Sequence, residues 1–154
     1  MIKHIMSDES EILINAYRLE RREIRKYSLA ALAFKESRSC EFFKKLTADE
    51  TLHVDMIKKR TSILSSENLN LFNMPDIFTI DLNKEVIKTL TPLEFLNFSL
   101  LEEQTAALFH HRAATMFESK ELKQLFTELE AAEIAHINSI RYEIDFLKNS
   151  KNIK

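Results

Sequence analysis

The chain has 154 residues, a formal net charge of −2, no Gly, no Trp and only two Pro. That length suits one domain with a single packed core. With almost no turn- and bulge-forming residues but abundant Leu, Glu, Lys and Ala, the composition favours an all-α bundle over any sheet architecture. The charge balance and a pI near 6.2 exclude a globally basic surface for nucleic acid or acidic membranes. One cysteine, Cys40, excludes an internal disulfide and a four-cysteine metal site. The N-terminus lacks an apolar leader, and no stretch approaches the roughly 18 apolar residues of a membrane span. A reducing cytoplasm is the expected location.

In chain order, Asp8 and Glu11 have capping-box spacing and predict a first helix over about residues 8–36. Ile12, Ala16, Leu19, Glu20, Ile24, Tyr27, Ala31 and Phe34 fall on one stripe of it at three- and four-residue steps. The basic run Arg18, Arg21, Arg22, Arg25 and Lys26, interleaved with Glu20 and Glu23, reads as a solvated face with local ion pairs. Ser37-Arg38-Ser39 predicts a turn. A second helix follows over about 40–64, with Phe43, Leu46, Glu50, His53, Met56 and Ile57 inward.

Residues 65–90 differ in texture, with Asn68, Asn70, Asn73, Pro75 and Asp76 and a short helix expected around Lys84 to Leu90. A helical hairpin needs about 2–8 connecting residues, so this segment reads as a crossover along the bundle. Thr91-Pro92-Leu93-Glu94 combines an N-cap, a first-turn proline and a capping-box glutamate. It predicts a third helix over 92–118. After a turn at Ser119-Lys120, a fourth helix is predicted over 120–148, then a frayed tail.

Two Glu-x-x-His tetrads, Glu50/His53 and Glu133/His136, each follow a glutamate 30 residues upstream, Glu20 and Glu103. Adding 83 to one set gives the other (20 + 83 = 103, 50 + 83 = 133, 53 + 83 = 136). The offset also pairs Ala30 and Ala31 with Ala113 and Ala114, Phe34 with Phe117, Phe43 with Phe126, Leu46 with Leu129, Ala48 with Ala131 and Ile57 with Ile140. The chain therefore reads as two similar hairpins about a pseudo-two-fold axis, with the matched positions expected inward. Glu and His three apart share a helix face. Four carboxylates in a bundle core would repel one another unless protons or cations neutralised them. Four carboxylates and two imidazoles without a thiolate suit two iron or manganese ions better than structural zinc. His4, His110 and His111 lack a carboxylate at this spacing, and Cys40 is assigned no role.

Ala16-x-x-x-Glu20, Tyr27 and Glu50-x-x-His53, mirrored by Glu103, Glu133 and His136, resemble a rubrerythrin-type member of the ferritin-like di-iron carboxylate superfamily. The resemblance covers essentially the whole chain and implies a ferritin-like four-helix bundle of two hairpins joined by a long crossover. It implies Glu20, Glu50, Glu103 and Glu133 as terminal and bridging metal ligands, with His53 and His136 as one imidazole per metal. Tyr27 would bond a ligand carboxylate through its hydroxyl, and His110 stands where the family often has a second tyrosine. Two departures matter. The four-cysteine rubredoxin domain is missing, so electrons would come from a separate, rubredoxin-like donor. The carboxylate that the family places three residues after the third-helix Glu is here Ala106, whereas the first helix has Glu23 at the matching position. Glu23 is either an alternative ligand competing with His136 or a solvent-facing ion-pair partner.

The resemblance implies reduction of hydrogen peroxide by a diferrous centre, and a homodimer is the expected assembly. The alternatives are a ferroxidase or dioxygen-reducing oxidase on the same centre, and a non-enzymatic iron-storage subunit.

Overall fold

The computed structural model describes residues 8–60 and 83–150, which form five helices and no strand. They are α1 (Asp8–Ala33), α2 (Cys40–Arg60), the short α3 (Lys84–Lys88), α4 (Pro92–Met116) and α5 (Lys120–Ser150). Helix α1 packs along α2, and α4 along α5, giving two hairpins that meet through α2 with α5 and α1 with α4. Among the described residues, no helix is long and apolar enough to cross a membrane.

The core divides into two apolar plugs. One gathers Tyr27, Ala30, Phe34, Phe43, Leu46, Ile87, Phe95, Leu96, Ile140 and Ile144. The other gathers Leu13, Ala16, Tyr17, Val54, Ile57, Ala113, Phe117, Leu125, Phe126 and Leu129. The repeat is visible in their aromatic packing: Phe34 meets Phe43 with ring centroids 5.8 Å apart, and Phe117 meets Phe126 at 5.1 Å. Ala48 and Ala131 do not follow this pattern; both face solvent, so their match reflects helix propensity.

The α1–α2 turn lies at the first plug and the α4–α5 turn at the second. The chain leaving α2 near Ile57 must therefore reach the other end before α4 begins near Phe95. Of the expected crossover, residues 65–82 lie outside the described residues, as do the Ser7 part of the first helix start, the last turn of the second helix and the tail beyond Ser150. The described end of the connection, α3, buries Ile87 in the first plug, and Asn83 caps it by accepting a hydrogen bond from the Val86 N–H.

Helix ends differ from the expected ones for local reasons. Helix α1 stops at Ala33, because Phe34 to Ser39 form the turn; the Ser37 hydroxyl oxygen accepts from the Ser39 N–H, and the Ser39 hydroxyl donates to buried Glu143. No described residue has positive φ, which is how the turns close without glycine. At α4, the Thr91 hydroxyl accepts from the Glu94 N–H while the Glu94 carboxylate accepts from the Thr91 N–H, a complete capping box preceding Pro92. That helix ends at Met116, where Phe117 turns extended (ψ 141°) to enter the second plug. Helix α5 runs two residues further than expected, to Ser150.

Thr91→Ala removes one half of the capping box, so it is expected to cost about 0.5–2 kcal/mol. Urea denaturation followed by circular dichroism should show a lower midpoint with an unchanged slope.

Candidate metal centre

Between the two plugs lies a layer of charged side chains. Glu20 from α1, Glu50 and His53 from α2, Glu103 from α4, and Glu133 and His136 from α5 are all buried, the four glutamates completely. Each lies on the stripe of its helix that otherwise carries core residues, so forming the helices and burying their apolar faces brings all six together.

Their ligand atoms form two overlapping groups. Glu20, Glu50, His53 and Glu133 place one atom each within 4.8 Å of one another, and Glu50, Glu103, Glu133 and His136 do the same. Glu50 and Glu133 belong to both. Glu50 sets Oε2 2.8 Å from His53 Nδ1 and Oε1 3.0 Å from His136 Nδ1. Glu133 sets Oε1 3.5 Å from His53 Nδ1 and Oε2 3.4 Å from His136 Nδ1. Each of these carboxylates thus offers one oxygen to each position, the arrangement of a bridge. Glu20 Oε2 lies 3.0 Å from His53 Nδ1, and Glu103 Oε2 lies 3.6 Å from His136 Nδ1, one terminal carboxylate per position.

The donor set fits a pair of divalent ions. Both oxygens of Glu50 and of Glu133, one oxygen of Glu103 and His136 Nδ1 are buried without a hydrogen bond. Polar atoms in that condition are costly unless something cationic meets them. In the metal-free protein the histidines take that part. Burial opposes a charged imidazole, but the carboxylates of Glu133, Glu20 and Glu50 outweigh it and push His53 up to about 12. His136 is raised likewise, against burial, by Glu103, Glu133 and Glu50. Burial would raise Glu50, yet the two histidines hold it below its ordinary value. Glu103 is raised, first by burial and then by Glu133.

The terminal carboxylates are held crosswise. Tyr27 of the first hairpin donates its hydroxyl to Glu103 Oε1 of the second. His110 of the second hairpin sits 2.7 Å, through Nε2, from Glu20 Oε1 of the first. Burial, then the charge on Glu103, raises the Tyr27 hydroxyl, which keeps it a protonated donor. His110 is fully buried and its Nδ1 has no hydrogen-bond partner, so the ring proton belongs on Nε2, facing Glu20. Its role was readable: 27 + 83 = 110 places it opposite Tyr27. Asp49, which the sequence did not flag, lies 3.5 Å from His136 Nε2 and can steady that ring from behind. His111 is exposed and pairs with Glu130, while His4 lies outside the described residues.

Glu23 and Lys26 depart from the solvated face expected of α1. Glu23 is 1% exposed and Lys26 fully buried, and the two form an ion pair. Lys26 Nζ also donates to Glu102 Oε2 at 2.9 Å, and Arg22 donates to Glu102 Oε1 at 2.8 Å. Of the two carboxylates that pair with Lys26, Glu102 comes from α4, which helix periodicity in α1 could not reveal. Glu23 is not in either ligand group. It is raised well above the usual carboxylate range by burial, opposed by Lys26 and reinforced by Glu103. Beside it, Asn15, Leu19, Arg22, Glu102 and Phe109 line a groove of about 310 Å³ between α1 and α4. Cys40 is buried, its thiol donating to the Ala31 carbonyl, a packing role.

A helical bundle with this paired carboxylate–imidazole layer has the architecture of the ferritin-like fold. The chain belongs to the ferritin-like domain family, whose model matches residues 8–145. It is similar in fold to an uncharacterised conserved protein of Magnetospirillum magnetotacticum, with a TM-score of 0.65 and 20% identity over 88% of this chain and 93% of that one. No curated protein matches it.

Two measurements test the centre. Glu50→Ala or Glu133→Ala is expected to abolish binding of both ions, whereas Glu20→Ala or Glu103→Ala should weaken one. Metal titration calorimetry reads the stoichiometry. Because His53 and His136 carry protons in the metal-free protein at pH 7, loading should release protons, and affinity should rise with pH. Titrations in buffers of different ionisation enthalpy would detect that release; its absence would mean that neither imidazole becomes a ligand.

Proposed function

We propose that this is a rubrerythrin-type di-iron redox protein that reduces hydrogen peroxide to water with electrons from a separate donor. The observation that carries this reading is the pair of carboxylates, Glu50 and Glu133, each facing both histidines across a buried layer without thiolate. The net reaction, H2O2 + 2 H⁺ + 2 e⁻ → 2 H2O, takes two electrons, and two bound irons would supply one each when cycling between the ferrous and ferric states.

The protein's own groups serve that cycle in three ways. Glu50 and Glu133 hold the two metal positions together, and carboxylates tolerate the change of charge by shifting denticity. Tyr27 and His110 orient Glu103 and Glu20 from the opposite hairpin. The two apolar plugs exclude solvent from either end, leaving the α1–α4 groove beside Glu23 as the approach for a small oxidant.

In the same reading Glu23 is an additional ligand that competes with His136 as the iron is oxidised. Among the ligand carboxylates, the charge on Glu103 of the His136 group acts on it most. We place the protein in the cytoplasm as a homodimer served by a rubredoxin-like electron donor, with no nucleic-acid or membrane partner.

Single-turnover stopped-flow on anaerobically Fe(II)-loaded protein, mixed in parallel with peroxide and with dioxygen, tests the activity. Faster oxidation by peroxide at two irons per chain is expected. Faster oxidation by dioxygen would assign an oxidase or ferroxidase instead. Uptake well beyond two irons in a very large particle would assign storage, and retention of manganese alone would change the metal.

A further inference from the structure

Lys26 is the one fully buried lysine or arginine among the described residues, and it stands outside the six buried residues of the metal layer. We propose that Lys26 is a positioning residue that withholds Glu23 from the metal pair while both ions are divalent. The inference rests on the reading of the six buried residues as a two-metal site.

The helix geometry sets up the competition. Glu23 follows Glu20 by three residues, 60° away around α1, so it borders the ligand stripe. Lys26 follows Glu23 by three more and lies a further 60° round in the same direction, so its ammonium draws the Glu23 carboxylate away from the metal layer.

Lys26 is anchored independently of Glu23. Its Nζ is 2.9 Å from Glu102 Oε2, Arg22 fixes the other oxygen of Glu102, and the Tyr27 ring lies 4.4 Å from Nζ. Departure of Glu23 would therefore leave the ammonium paired. Without Glu102 that departure would strand a buried, unpaired charge.

Charge counting decides when Glu23 stays. Two divalent ions carry +4 and are balanced by the four carboxylates Glu20, Glu50, Glu103 and Glu133. A fifth carboxylate would make the layer net negative, so Glu23 gains nothing by leaving Lys26. Two trivalent ions carry +6, leaving an excess of +2 that attracts Glu23. Lys26 thus sets how much positive charge the layer must gain before Glu23 moves. The matching positions of the second hairpin are Ala106 and Phe109, so this control acts on one metal position alone.

Cobalt(II) tests this without turnover, because its visible absorption reports coordination number and weakens as ligands are added. Wild type, Glu23→Gln, Lys26→Met, Lys26→Arg and the double variant Lys26→Met/Glu23→Gln would each be loaded, with stoichiometry measured by calorimetry and folding by circular dichroism. Glu23→Gln and Lys26→Arg should keep the wild-type spectrum. Lys26→Met should bind two ions with weaker absorption per cobalt, and the double variant should regain the wild-type intensity. An altered spectrum in Glu23→Gln would mean that Glu23 already binds the divalent ion, overturning the inference even if Lys26→Met does not fold. An unchanged spectrum in Lys26→Met, or the same change with and without Glu23, would also overturn it. Failure of wild type to bind two cobalt ions would instead remove the two-metal reading on which it stands.

Discussion

Four carboxylates that must be neutralised inside a helical bundle are the constraint around which this protein is arranged. Hydrophobic burial favours closing the two plugs, and closing them forces Glu20, Glu50, Glu103 and Glu133 into one dry layer. The apolar contacts and the charged layer are therefore opposed parts of one structure. Carboxylates at these separations cannot all remain ionised without compensating charge. Two protonated histidines compensate part of it in the metal-free protein, and two divalent ions would balance it in full.

The same layer makes the hairpins interdependent. Neither hairpin contains a complete metal position, because each bridging carboxylate serves both histidines. Each terminal carboxylate is also held by a side chain of the opposite hairpin, Glu103 by Tyr27 and Glu20 by His110. A change at one metal position is consequently felt by the helices that build the other. The groove between α1 and α4 borders Glu23 rather than the ligands themselves, and its charged groups all come from those two helices.

Much of this was legible in the sequence because the chemistry follows helix periodicity. The Glu-x-x-His spacing selects one face, and its repetition at an offset of 83 selects the partners. The division between bridging and terminal carboxylates was not legible, since it depends on which oxygen faces which ring across helices. The burial of Lys26 was hidden for a similar reason: in α1 it continues a row of arginines, and one of its two carboxylate partners, Glu102, lies 76 residues away. His110 was open to the offset argument, but a histidine where its counterpart is a tyrosine conceals a shared task. The helix ends moved by a few residues where buried side chains such as Phe34 and Phe117 pull the chain inward ahead of the polar turn residues.

The internal repeat has a consequence for how such a centre can become specialised. Two identical hairpins associating as separate molecules would build the same layer, but every residue would occur in both halves. The metals would then be chemically indistinguishable, and any substitution would alter both at once. Carrying the halves on one chain lifts that restriction. Glu23 can face Ala106, Lys26 can correspond to Phe109, and Tyr27 to His110. Covalent linkage thus lets a symmetric scaffold acquire a polarity, with one metal position tuned by mutation while its twin is left as it was.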